Sequence, residues 1–289
     1  MTRRTVRETH SCDHVGVRSG NHSRPPVFQS PRPLVFAHRG GAKLAPENTV
    51  PAFDRGMALG ADGLELDVQL SADGVAVVIH DKLLDRTTDR VGPVGALTVD
   101  ELARVDAGYR FEQDGARPFR GQGIGITTLA FVLARHPNAR VIIEMKGEEP
   151  ELALAVAAAV RRADAVERVC VGSFDHASIS RLRAAAPEIV TSASQPEARW
   201  TLHRAWMRWP RIGRRPYVAF QVPERTGRMR VVSPAFVRQV HREGQVLQVW
   251  VVNDDADIRR LLDWGVDGVI TDRPDTAVAT NVAWYNDRR

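Results

Sequence analysis

Cysteine is nearly absent from this chain, with two in 289 residues, Cys12 and Cys170. Two thiols cannot build a disulfide framework, so a small disulfide-stapled fold is excluded and a reducing setting is expected. Cys170 falls in an apolar run and reads as a buried strand residue. Long apolar stretches are missing too, and none could cross a bilayer. The basic N-terminus leads into no apolar core or small-residue cleavage site, so no secretory signal is expected and a cytoplasmic location is. Paired Cys-x-x-Cys spacing is also lacking, so His10, Cys12, His14 and His22 do not make a zinc tract. No G-x-G-x-x-G turn follows the first apolar run, which removes the dinucleotide-binding signature.

What is present is enough to bury a full core, since 43% of the residues are hydrophobic. The net charge is +5, with arginine concentrated in residues 2–32 and 199–230. That balance suits anionic partners such as phosphate esters or lipid headgroups, although for the bulk of these arginines a solvated surface suffices.

Residues 1–33 mix Arg, Ser, His, Pro and Gly without a period and read as a disordered arm, closed by Pro31-Arg32-Pro33. From residue 34 to the C-terminus, short apolar runs alternate with helical patterns. Strands are expected over 34–37, 63–70, 75–79, 140–145, 169–172, 189–192, 218–222, 246–252 and 268–270. The pair 63–70 and 75–79 is joined by the turn Ser71-Ala72-Asp73-Gly74. Helical patterns fill most of the gaps, and residues 82–126, glycine-rich and charged, read as a small insertion. Repeated strand–helix units imply a parallel sheet, and eight of them favour a closed α/β (β/α)8 TIM barrel over 34–289. Catalytic groups of that fold stand at the C-terminal ends of its strands.

The chemistry-bearing residues fall there. Glu65 and Asp67 are two apart in a strand, so both carboxylates share a face. Two like charges so close are costly to bury without a cation. Glu144, ending Val141-Ile142-Ile143-Glu144, can supply a third oxygen ligand, and three carboxylates suit Ca2+ or Mg2+ rather than zinc. The competing reading is a structural network with nearby arginines. His38 and His80 end strands on either side of the acidic pair and can trade protons with an attacking and a leaving oxygen. Arg39 and Lys146 are candidate phosphate clamps, a fork and a point charge.

The ordered set His38-Arg39-Gly40, Pro46-Glu47-Asn48-Thr49, Glu65-x-Asp67, His80-Asp81, Arg86-Thr87-Thr88, Glu144-x-Lys146, Trp250-x-x-Asn253 and Thr271-Asp272 resembles the glycerophosphodiester phosphodiesterase family. The resemblance runs from about Leu34 to Thr276. It implies a TIM barrel with an insertion after the second strand region and a divalent ion on Glu65, Asp67 and Glu144. It also implies an acid/base pair of His38 and His80, and phosphate contacts from Arg39 and Lys146. The implied reaction is hydrolysis of a glycerophosphodiester to glycerol 3-phosphate and an alcohol, with lysophospholipase D activity at a membrane surface as the alternative. Gln221 becomes a candidate substrate contact, and Trp250 and Asn253 candidate floor and rim contacts, with barrel packing as the other reading of Trp250. The chain departs from the family pattern at Thr127-Thr128-Leu129-Ala130-Phe131, where relatives often carry an acid. Trp200, Trp206, Met207 and Trp209, interleaved with arginines, could rest on lipid or simply pack inward. No nucleic-acid partner is expected, because the arginines form no binding module.

Overall fold

The computed structural model of this protein describes residues 24–207 and 215–289. The first 23 residues, with His10, Cys12, His14 and His22, lie outside the described residues, as do the Trp209 part of the Trp/Arg stretch and the side chain of Trp206.

The strands are β1 (Leu34–His38), β2 (Gly63–Leu70), β3 (Ala76–Val78), β4 (Arg140–Met145), β5 (Val169–Gly172), β6 (Ala219–Pro223), β7 (Arg225–Thr226), β8 (Met229–Arg230), β9 (Val246–Trp250) and β10 (Gly268–Thr271). Helices interleave with them: α1 (Val50–Ala58), α2 (Val99–Leu102), α3 (Leu129–Arg135), α4 (Pro150–Arg162), α5 (His176–Ala185), α6 (Gln195–Trp206), α7 (Pro234–Arg242), α8 (Asp255–Asp263) and α9 (Pro274–Asn286). Side chains of Thr49, Thr128, Asp175, Ser233 and Asp254 accept from backbone N–H groups and so start five of the helices. Pro150, Pro234 and Pro274 open α4, α7 and α9, where a missing N–H costs nothing.

The sheet runs β5-β4-β2-β1-β10-β9-β6 with every neighbouring pair parallel. Residues 190–192 close it. Val171 bridges to Thr191 on one side and Ala219 to Ser192 on the other, both parallel. The eighth position is thus held by a segment too short to be a full strand, and the TIM barrel expected from the sequence is complete.

Buried on both faces, the strands read as near-continuous apolar runs, as in Val141-Ile142-Ile143. Phe36, Ile142, Cys170, Ala219, Val246 and Ile270 fill the cylinder's interior. Val27 and Phe28, in a short 3-10 turn at Pro26–Phe28, pack against that same cluster. Residues 24–33, expected to belong to a disordered arm, are therefore ordered. Burial of Val27 and Phe28 holds this segment on the barrel, helped by Arg24 on Asp267 at 2.6 Å and by the Arg32 fork on Asp62 at 2.7 and 2.9 Å.

Two features place the site. Strand β2 outruns the barrel and also pairs antiparallel with β3, so the chain returns to the rim at His80. The residues 82–126 that follow gather Leu84, Val94, Leu102, Val105, Ala107 and Ile126 over Val77 and Ile79. This small cluster holds the insertion, with Arg86, beside the strand ends.

Candidate active site

Parallel register decides which side chains meet. His38 on β1 lies across from Glu65 on β2, and Asp67 lies across from Glu144 on β4. Alternation puts Glu65 and Asp67 on one face, and adjacent strands stand about 4.8 Å apart. The three carboxylates consequently converge, each offering an oxygen within 4.8 Å of the others. Gly172, the neighbour of Glu144 on β5, leaves the interior open beside them. A Cβ there would come within 2.7 Å of Ser192 Oγ.

The turn after β1 brings in the first cation. Arg39, Gly40 and Gly41 all take positive φ, and a Cβ on Gly40 would meet the backbone of Ala52 at 2.6 Å. The turn points the Arg39 N–H at Glu65 Oε2, 3.1 Å away, and sets its Nε 3.0 Å from Asp67 Oδ2. Lys146 Nζ stands 3.3 Å from Asp67 and 3.0 Å from Glu144. Asn48 completes the cage around Asp67, donating to its carboxylate at 2.9 Å and accepting from its N–H at 3.2 Å.

The environment pushes the three acids apart. Burial, reinforced by Asp67, drives Glu65 up to about 7. Burial also raises Glu144, against the pull of Lys146. Burial works the same way on Asp67, but Lys146 and Arg39 outweigh it and hold this acid below the usual carboxylate range. Three carboxylates against two cations thus leave unmet negative charge, which a further cation would satisfy.

Each histidine is oriented by a carboxylate. His38 Nδ1 lies 2.6 Å from Asp272 Oδ1, and Asn253 donates to the other oxygen of Asp272 at 3.0 Å. That leaves His38 Nε2 facing Glu65, 3.9 Å away. His80 Nδ1 lies 2.5 Å from Asp81, which Arg86 holds at 2.6 Å. The same guanidinium reaches Glu47 at 2.7 and 2.8 Å, and Glu47 in turn holds Arg39 at 2.8 Å. One chain of charge-assisted bonds therefore links His80 to Arg39 through the insertion. Burial lowers both imidazoles, but for His38 the carboxylates of Glu65 and Asp272 reverse the sign, so His38 ends above and His80 below the ordinary histidine value.

Asp272→Asn removes one of the charges that raise His38. The His38 imidazole then titrates at lower pH, while His80 keeps its place. NMR titration of the two rings in both proteins reads this directly.

The nine candidate site residues meet at one rim. His38, Arg39, Glu65, His80, Glu144, Lys146, Gln221 and Trp250 line a cavity of about 500 Å3, and Asp67 is buried directly beneath it. Gln221 is held by Gln248 at 3.0 Å, and Trp250 packs edge-on against Phe174. Beyond this polar end the cavity continues past Ala198, Leu202, Val222, Val231 and Phe236. The orienting groups Asp272, Asp81, Arg86, Glu47 and Asn48 receive no role from the sequence, and Asn253, read there as a rim contact, holds Asp272 instead. The adjacency His80-Asp81 was a usable signal, whereas Asp272 meets His38 only because β10 pairs with β1.

A TIM barrel carrying two histidines, an arginine, a lysine and a carboxylate cluster at the C-terminal rim defines a phosphoric diester hydrolase. The glycerophosphoryl diester phosphodiesterase family model matches residues 38–276, and the chain belongs to this family. It is 35% identical over 249 residues to a glycerophosphodiester phosphodiesterase of Caldanaerobacter subterraneus, covering 85% of this chain and 96% of the relative. A solved glycerophosphodiester phosphodiesterase structure from Agrobacterium tumefaciens matches with a TM-score of 0.70 and 32% identity, over 86% of this chain and 99% of the other. A human lysophospholipase D is 28% identical over 87% of each chain.

Proposed function

We propose that residues 34–289, with the 82–126 insertion as part of the same catalytic unit, hydrolyse glycerophosphodiesters to glycerol 3-phosphate and an alcohol in a metal-dependent reaction. The convergence of Glu65, Asp67 and Glu144 between two carboxylate-oriented histidines carries this reading. The donor set fits a hard divalent ion, Ca2+ or Mg2+, because it consists of oxygen alone. When bound, such an ion neutralises charge on the phosphoryl oxygens. Arg39 and Lys146 clamp the phosphate and oppose the charge that builds on it. One histidine takes the proton of the attacking oxygen, and the other returns a proton to the leaving oxygen. Gln221 and Trp250 contact the remainder of the substrate. Among the described residues no helix is long and apolar enough to cross a membrane, and we place the enzyme in the cytoplasm on its cysteine usage.

Release of glycerol 3-phosphate from a panel of glycerophosphodiesters tests the reading. EDTA abolishes release, and one of Ca2+, Mg2+ or Mn2+ restores it. Full turnover in EDTA would remove the metal, and silence on every diester under every ion would remove the activity. A lysophospholipid belongs in the same panel as a second reading. The apolar continuation of the cavity along Leu202, Val222, Val231 and Phe236 favours it, since an acyl chain could lie there.

A further inference from the structure

Between β6 and α7 the chain makes a small antiparallel hairpin, β7 and β8, closed by Gly227-Arg228 with Gly227 at φ +57°. Every residue from 225 to 230 is exposed. The sequence there is Arg225-Thr226-Gly227-Arg228-Met229-Arg230, three arginines with no acid between them. Arg225 and Arg230 are directly paired across the ladder. Like charges so placed destabilise a hairpin, and the described residues around them supply no opposing carboxylate. Arg225 donates to the carbonyl of Arg228, Arg230 stacks on the Trp264 ring, and Glu224 at the hairpin's base is committed to Arg260. Among the described residues no carboxylate pairs with any of the three arginines.

The opposite face of the same ladder, Thr226 and Met229, lines the mouth of the active-site cavity. Around that mouth stand Met229 at 41%, Phe174 at 45% and Val251 at 37% exposure, with Arg199 exposed on α6 beside them. Exposed apolar side chains ringed by guanidiniums that no described carboxylate neutralises are what an interface between water and anionic headgroups selects.

We propose that the β7–β8 hairpin docks the mouth of the barrel onto an anionic lipid surface. Arg225, Arg228 and Arg230 take headgroup phosphates, and Met229, Phe174 and Val251 enter the headgroup layer. The like-charge pair is then relieved by the anions it binds. The docking differs from the chemistry proposed for the site and is read separately from it, because a water-soluble diester reports the site without any vesicle.

Co-sedimentation with phosphatidylcholine vesicles, with and without phosphatidylglycerol, tests the proposal on the full chain. The protein partitions to the anionic vesicles, and rising salt weakens the partition. The double variant Arg225→Glu and Arg228→Glu lowers that partition by at least about twenty-five-fold, about five-fold per lost arginine. Its turnover of a soluble diester stays at the wild-type rate. Met229→Ser, which alters no charge, lowers partition less and keeps the salt dependence. No binding to anionic vesicles, equal binding to neutral ones, or undiminished binding by the double variant overturns the proposal. So does displacement from vesicles by RNA at equal anionic charge, which would mark the arginines as a general polyanion site.

Discussion

Replacing His38 or His80 by alanine lowers turnover of a glycerophosphodiester by roughly two to four powers of ten each, with the fold retained. The size follows from position. Each imidazole has one nitrogen committed to a carboxylate, Asp272 or Asp81, and in the proposed reaction the other serves the reacting oxygens. Neither ring is a core residue. Both side chains are partly exposed, so truncation opens no large buried cavity. Circular dichroism and thermal unfolding of both variants stay close to wild type while kcat falls. The double variant falls much less than the product of the two single losses, because the histidines act on one reaction coordinate. Wild-type rates in either single variant contradict the assignment.

The second large effect falls on stability as well as rate. Asp67 is 1% exposed and receives Arg39, Lys146 and Asn48 at once. Removing one partner of a buried ion pair costs about 3–5 kcal/mol. Here the lower end applies, about 3 kcal/mol, because Arg39 and Lys146 keep some access to water and to the remaining carboxylates. Asp67→Ala is therefore expected to unfold at clearly lower denaturant and to lose turnover together with response to added cation. Asp67→Asn keeps the volume and one oxygen, so it recovers much of the stability and little of the cation response. Denaturant titrations with and without the ion separate the two contributions. Asp67→Ala as stable as wild type would mean that the cations are not tethered to this carboxylate.

Much of the fold was legible because a parallel barrel writes itself as short apolar runs spaced by capped helices. The strand at 140–145 and the turn at 71–74 were readable from Val141-Ile142-Ile143 and Asp73-Gly74 alone. The segment 189–192 was readable only as a weak strand, and it closes the barrel through isolated bridges rather than a full ladder. The hairpin at 225–230 left no strand signal, since its two-residue strands carry neither alternation nor apolar runs. The order of residues 24–33 is not legible locally, because Val27 and Phe28 gain their burial from a barrel floor distant in sequence. For the site, the spacing Glu65-x-Asp67 fixed a shared face locally. The partnership of His38 with Asp272 spans 234 residues and depends on β1 lying beside β10, which no local pattern encodes.

Strand β2 also sets where this protein can change length. Its ladder to β3 ties Val68 to Val78, and the Asp67 carbonyl accepts the Ile79 N–H at 3.0 Å. The position of His80 is thereby gauged from Asp67 and not from the tip of the ribbon. Gly74, at that tip, faces open space. Extra residues beside Gly74 can bulge outward while His80 keeps its station, whereas a single residue gained or lost between Asp67 and Leu70, or between Ala76 and His80, would rotate every following side chain to the wrong face.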